Sequence, residues 1–182
     1  MPNWACGTVE VTGMREGIIS FIERFVDWNE SVVPGKRFFA RSFIDEGRDE
    51  VTGRLKRENH GQPADTRTTF SFDVSFAWSA YTCLVCGYPQ NNPEELMTLE
   101  DACREDRVCV RIFTEEPGIC FEENLQCDTN GNITYHCDEL LPARCRHCGE
   151  TQCVSSHADL DEVECCECGE LGFDYVNEEE AE

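Results

Sequence analysis

The sequence is poor in positive charge. Its 182 residues carry 15 Lys and Arg against 37 Asp and Glu, a formal net charge of −22. The shortage is uneven: residues 1–60 hold nine Lys/Arg and ten Asp/Glu, whereas residues 61–182 hold six and 27. A nucleic-acid binder needs cations on its binding face, so the acidic two-thirds should repel DNA, RNA and anionic membrane. Long apolar runs are missing too, and none approaches the roughly 20 residues of a membrane span. The opening Met1-Pro2-Asn3-Trp4-Ala5-Cys6 has neither the basic nor the apolar region of a secretory signal. The expectation is a cytoplasmic protein without a membrane partner. There is no Gly-rich phosphate loop, nucleophile elbow, kinase signature or His-Glu-x-x-His. Ser155-Ser156-His157 has no positioned acid beside it, and His147 and His157 read as surface residues. The chain is expected not to be an enzyme.

Cysteine, by contrast, is plentiful, with 14 residues. In a reducing compartment Cys-x-x-Cys pairs point to metal rather than to disulfides. The strongest pattern is Cys145-Arg146-His147-Cys148-Gly149 followed by Cys165-Cys166-Glu167-Cys168-Gly169. Two such knuckles offer four thiolates to one tetrahedral ion, and the glycine after each permits the tight turn. Cys145, Cys148, Cys165 and Cys168 are the predicted ligands of a structural Zn2+. Either Cys165 or Cys166 is the spare thiol, and the two-residue spacing favours Cys166. Cys83-Leu84-Val85-Cys86-Gly87 is a third knuckle with no partner knuckle nearby. Cys83 and Cys86 are therefore candidates for a second zinc site, to be closed by Cys103, Cys109, Cys120, Cys127 or Cys137.

The hydrophobic pattern is organised around Thr69–Ser79. Phe70, Phe72, Val74, Phe76 and Trp78 alternate there with Ser71, Asp73, Ser75, Ala77 and Ser79. Such alternation marks a strand with one buried and one wet face, and so an antiparallel or mixed sheet. Before it come a strand at Cys6–Thr12, an amphipathic helix at Arg15–Trp28 with Ile18, Ile22 and Phe25 inward, and a strand at Phe38–Ile44. Residues 47–65, with Gly53, Gly61 and Pro63, read as a long polar loop. After it, Asn92-Pro93-Glu94-Glu95 signals a helix start with Asn92 as N-cap, and Leu96, Leu99 and Cys103 form the inward stripe. Strands follow at Arg107–Thr114, Ile119–Cys127 and Ile133–Cys137, the last two joined by an Asn130-Gly131 hairpin turn.

The expected architecture is α+β: a ferredoxin-like split βαβ sandwich with an added hairpin over residues 1–140. A zinc ribbon over 141–175 and an acidic disordered tail over 176–182 complete it.

Several short stretches carry a resemblance. Met1-Pro2-Asn3-Trp4, Val11-Thr12-Gly13, Ala77-Trp78-Ser79 and Glu116-Pro117-Gly118-Ile119-Cys120-Phe121 resemble a family of small uncharacterised phage- and plasmid-borne proteins with a ferredoxin-like domain. The resemblance covers residues 1–137. It implies a mobile-element setting and supplies no catalytic residues. Where that family commonly places prolines after Trp78-Ser79, this chain has Ala80-Tyr81-Thr82-Cys83-Leu84-Val85-Cys86-Gly87, which suggests an added metal knuckle.

Two charged surfaces suggest partners. Glu94, Glu95, Glu100, Asp101, Glu105 and Asp106 fall on the second helix, with Glu115, Glu116, Glu122 and Glu123 beyond it. Acids fixed on rigid elements can imitate a row of phosphates and occupy a basic channel. The expected function is that of an acidic zinc-binding protein of a mobile element that binds a protein partner with a basic surface. The expected mode is nucleic-acid mimicry against a host defence nuclease, of the anti-CRISPR or anti-restriction type. The alternative is a nucleic-acid-binding accessory protein using Lys36, Arg37, Arg41, Arg54, Lys56 and Arg57 together with the ribbon; Phe38, Phe39 and Phe43 interleave with the first of these cations.

Overall fold

The computed structural model describes residues 3–26, 36–63, 65–86, 93–116 and 121–176. They fall into two compact units: one comprises residues 1–116 and 123–136, the other residues 117–122 and 137–182.

In the first unit the sheet begins with β1 (Trp4–Met14), which runs antiparallel to β3 (Arg67–Ala77) along its whole length. The outer neighbours are β2 (Ser42–Ile44) against β3 and β4 (Cys109–Glu116) against β1, both antiparallel. The strand order is β2-β3-β1-β4, with β5 (Phe121–Cys127) following. Phe70, Phe72, Val74 and Phe76 are buried as the alternation predicts. On the opposite face Thr8 donates to Asp73 at 3.1 Å, and Thr12 and Thr69 share a 2.8 Å hydroxyl contact. Polar cross-strand pairs of this kind suit a wetter face.

Helix α1 (Arg15–Ile22) buries Ile18, Phe21 and Ile22, and α4 (Leu99–Asp106) buries Leu99, Ala102 and Cys103. Phe21, Phe25, Phe39 and Phe72 meet edge to face at 5.1–5.8 Å between centroids, the arrangement favoured by the ring quadrupoles.

Several local expectations are overturned. Residues 48–58 form α2 (Arg48–Glu58) rather than a loop. Val51 and Leu55, four residues apart, are buried, with Asp49 and Glu50 in the first turn and Lys56 and Arg57 in the last. That order of charge complements the helix dipole, and it outweighs the internal Gly53. The expected strand from Phe38 keeps only Ser42–Ile44, because Phe38 is drawn away into a parallel bridge with Leu96. Phe38 N donates to Glu95 O, and Met97 N donates to Phe38 O. Those bonds also hold residues 95–97 extended, so Pro93–Glu95 makes a single 3-10 turn and α4 starts later. Its cap is the Thr98 hydroxyl, which accepts from Asp101 N; Asn92 lies outside the described residues. Trp78 leaves the buried face: its φ of 80° turns the chain out of β3, and the ring is 37% exposed. Trp28, the Pro117-Gly118 turn, Cys120 and Glu178–Glu182 lie outside the described residues.

Strand β6 (Ile133–Cys145) is longer than expected. Its residues from Cys137 onward belong to the second unit, where they pair antiparallel with β7 (Thr151–Ser155) and β8 (Phe173–Tyr175). The core of this unit is small: Ala143, Cys145, Val154, Cys165 and Phe173, backed by Ala158, Leu160, Val163 and Tyr175. No helix among the described residues is long and apolar enough to cross a membrane.

Candidate metal centre

The end of β6 delivers Cys145 to a turn that repeats, bond for bond, twenty residues later. Gly149 N donates to Cys145 O and Cys145 N to Glu150 O; Gly169 N donates to Cys165 O and Cys165 N to Glu170 O. Gly149 and Gly169 have φ of 79° and 72°, the left-handed region that glycine enters without a steric cost. The register of β6 with β7 closes the ends of the first knuckle, and the isolated bridge Glu164–Leu171 closes those of the second. Gln152 spans them further, accepting from Cys166 N at 3.2 Å and donating to Glu164 O at 3.4 Å. Arg146 adds a clamp from the first knuckle, donating to Asp174 at 2.9 Å and to Asp161.

As a result the Sγ atoms of Cys145, Cys148, Cys165 and Cys168 lie within 4.8 Å of one another, and this is the one group of three or more potential ligands among the described residues. Cys145 and Cys168 are 3.7 Å apart, Cys148 and Cys165 3.6 Å. A tetrahedral zinc thiolate site with bonds of about 2.3 Å has sulfur–sulfur edges of about 3.8 Å, so the cluster fits such an ion. Cys145 and Cys165 are buried and Cys148 and Cys168 exposed. Cys166 is exposed, outside the cluster, and His147 and His157 are exposed.

The thiols do not share charge equally. The backbone N–H of Cys148, helped by that of His147, holds Cys145 down at about 6. At Cys148 the Glu150 N–H favours the thiolate, but desolvation and the thiols of Cys165, Cys168 and Cys145 outweigh it and push the group up to about 12. Cys168 is raised likewise, against the pull of the Glu170 N–H. Crowded thiols resist deprotonation together, and a divalent cation removes that resistance.

The third knuckle has a different environment. Cys83 is buried in α3 (Ala80–Leu84), and its thiol donates to Ala77 O at 3.1 Å. Burial pushes it up to about 12. Cys86 is exposed. Cys103 and Cys127 are buried near each other in the first unit, whereas Cys109 is half-buried and Cys137 exposed.

Much of both charged surfaces is engaged within the chain. Arg24 binds Asp106 and Glu105 at 3.0 Å, Arg37 binds Asp101 at 2.7 Å and Glu105 at 3.0 Å, and Arg104 binds Asp101 at 2.8 Å. The Arg37 and Arg104 guanidiniums hold Asp101 below its ordinary value. Glu94 and Glu95 sit in the 3-10 turn rather than on α4, and Glu100 is half-buried in its first turn. Glu123 is not a surface acid at all, being 1% exposed. On the basic side Lys36 pairs with Glu23, Arg54 with Glu46 and Arg57 with Glu50. Arg54 also lies over the Phe70 ring at 4.7 Å. Arg41, at φ 44°, uses its carbonyl to accept from Ala77 N; Lys56 lies in the last turn of α2. Sequence spacing finds the four thiols. It does not find Gln152 or Arg146, whose role depends on register and leaves no spacing signal.

Comparison of the chain with protein-family models, with curated proteins and with solved structures gives no match.

Proposed function

We propose that the chain is a non-enzymatic zinc protein. Its second unit is a zinc ribbon that presents an acidic surface to a basic protein partner. The observation that carries this reading is the charge around the four-thiol cluster. The described residues of this unit, 121–122 and 137–176, contain 11 Asp and Glu against two Arg, and one of those, Arg146, is already paired with Asp161 and Asp174. Asp159, Glu162, Glu164, Glu167 and Glu170 are all exposed. A closed site of four cysteine ligands offers no open coordination position and so supports structure, not chemistry.

The strand order β2-β3-β1-β4 with helices after β1 and before β4 supports a ferredoxin-like first unit. The resemblance to phage- and plasmid-borne proteins supports a mobile-element setting, in the cytoplasm, with a host defence nuclease as the partner class. The acids of α4 are largely engaged by Arg24, Arg37 and Arg104, so the ribbon is the stronger docking surface.

The test is competition with guide RNA or target DNA on a candidate nuclease across a salt series. Screening shortens from about 10 Å at 0.1 M to about 3 Å at 1 M, so binding should weaken steeply. Glu162→Lys with Glu170→Lys should weaken it further while leaving the metal content unchanged. Salt-insensitive binding that ignores this pair overturns the reading. Retention of an oligonucleotide at low salt, lost on changing Arg54, Lys56 and Arg57 to Ala, would instead establish the nucleic-acid alternative.

A further inference from the structure

A groove of about 540 Å³ opens in the first unit between the end of β1, the start of α1 and the end of α4. Its size falls within the range of small-molecule sites. Three arginines line it, Arg67, Arg104 and Arg107, in a chain that is otherwise short of cations. Arg107 stands in the left-handed conformation at the C-terminal cap of α4, with φ of 55° and ψ of 44°. Its side chain is exposed and has no hydrogen bond or ion pair among the described residues. Arg67 reaches only the Thr12 carbonyl at 3.5 Å and the Cys109 sulfur at 3.9 Å, and no carboxylate among the described residues. In a protein with 37 acidic residues, guanidiniums left without a carboxylate on one concave surface are unusual.

The carboxylates that line the same groove do not neutralise it. Asp106 is turned away, accepting from Arg24 Nε at 3.2 Å, Arg24 Nη2 at 3.0 Å and Ser20 Oγ at 2.7 Å. Glu16 alone is exposed in the first turn of α1. That helix also begins at the groove without a side-chain cap, since Met14 stands at its N-cap position, and its first backbone N–H groups add to the positive potential. A Cβ on Gly17 would come within 2.2 Å of Asp106 O, so glycine there lets α1 and α4 approach closely enough to close the floor. The rim is apolar on one side, where Met14 is 51% exposed.

We propose that this groove binds a small phosphomonoester. The phosphate oxygens would take the forks of Arg67 and Arg107, which match phosphate geometry in a bidentate manner. The organic part would lie against Met14. The site is separate from the ribbon and its metal, so it stands or falls independently of the docking surface above.

Titration of the zinc-loaded full-length protein with AMP and, separately, with inorganic phosphate tests it, read by calorimetry and by amide chemical shifts. Both should bind, AMP more tightly, with shifts at Arg15 to Gly17. Arg107→Gln should weaken AMP binding at least about tenfold, the loss of one charge-assisted hydrogen bond. Glu16→Gln should tighten it, which a merely structural role would not produce. Arg111→Gln, on an exposed pair with Glu10, should change nothing. Absence of binding at millimolar AMP overturns the proposal, and so does a Glu16→Gln variant that binds no better. Equal binding of citrate and AMP overturns the phosphate assignment.

Discussion

The sulfur of Cys148 lies 3.6 Å from that of Cys165, although sixteen residues separate the two in the chain. The contact closes a cluster whose own Cys145 and Cys165 share a small core with Ala143, Val154 and Phe173 among the described residues. So small a core contributes little stability by itself, and the ion should supply the rest. Cys148→Ser should therefore remove the bound metal, measured by elemental analysis, and leave residues 137–176 open to proteolysis. Cys166→Ser should do neither. Binding energies of about 10–16 kcal/mol for such sites make the contrast large. Metal content also addresses Cys83 and Cys86: a second ion per chain, lost on Cys86→Ser, would show that the third knuckle holds metal.

Metal retention should depend on pH, with a definite sign. Binding needs all four thiolates, while the apo cluster holds Cys148 at about 12 and Cys168 above its ordinary value. Metal uptake must expel those protons, so apparent affinity rises with pH. As pH falls toward the Cys145 value of about 6, the last favoured thiolate is protonated as well, and release should steepen. A chromophoric chelator titrated between neutral and acidic pH would read this. A flat profile would mean that the ion is not held by these four thiols.

The contact of Arg24, two residues beyond α1, with the end of α4 offers a stability test. Arg24 and Asp106 have side-chain exposures of 17% and 4%, so the pair is largely out of water. Arg24→Ala leaves the Asp106 carboxylate with the Ser20 hydroxyl as its donor. The expected loss is about 3 kcal/mol, seen as a lower urea midpoint with an unchanged slope. Asp101→Lys should also destabilise, because Asp101 already serves Arg37 and Arg104; at these half-exposed sites the loss should be about 1 kcal/mol. Charge reversals on α4 thus probe folding before they probe a partner.

Legible in the sequence is what repeats at short range. The alternation through Phe70, Phe72, Val74 and Phe76 places the central strand, and the two glycine-terminated knuckles bring together four potential ligands. What stays hidden depends on partners distant in the chain. Residues 48–58 look like a loop because they are polar and contain Gly53, with Gly61 and Pro63 beyond, yet they form a helix whose N-cap is Gly47, with φ of 84°. The charge order from Asp49 to Arg57 is the signal that could reveal α2. Asn92-Pro93 suggests a helix that tertiary bonding to Phe38 postpones to Leu99. Acid counting takes Glu123 for surface charge, although the alternation Glu123, Leu125, Cys127 in β5 puts it on the buried face.

Glu123 accepts from Ala80 N at 2.8 Å, Tyr135 Oη at 3.0 Å, Thr114 Oγ1 at 3.1 Å and Tyr81 N at 3.4 Å. Four donors from three separate segments converge on one buried carboxylate. Two are the first backbone N–H groups of α3, so Glu123 ties the end of β3 to β4 and β6. Tyr81 and Tyr135 stack at 4.3 Å beside it. Glu123→Ala would strand the Ala80 N–H and the Thr114 hydroxyl, whose bonds to it are buried, at about 1–3 kcal/mol each before relaxation, while the exposed Tyr135 hydroxyl can turn to water. The chain should lose about 3 kcal/mol net, as water enters the gap. Glu123→Gln keeps the volume but turns an N–H2 toward donors, so it should lose less than Glu123→Ala and still more than Tyr135→Phe, at about 1 kcal/mol. Urea unfolding of the three variants gives the order directly. If Glu123→Gln matches the parent chain, the carboxylate charge is not what holds α3 in place.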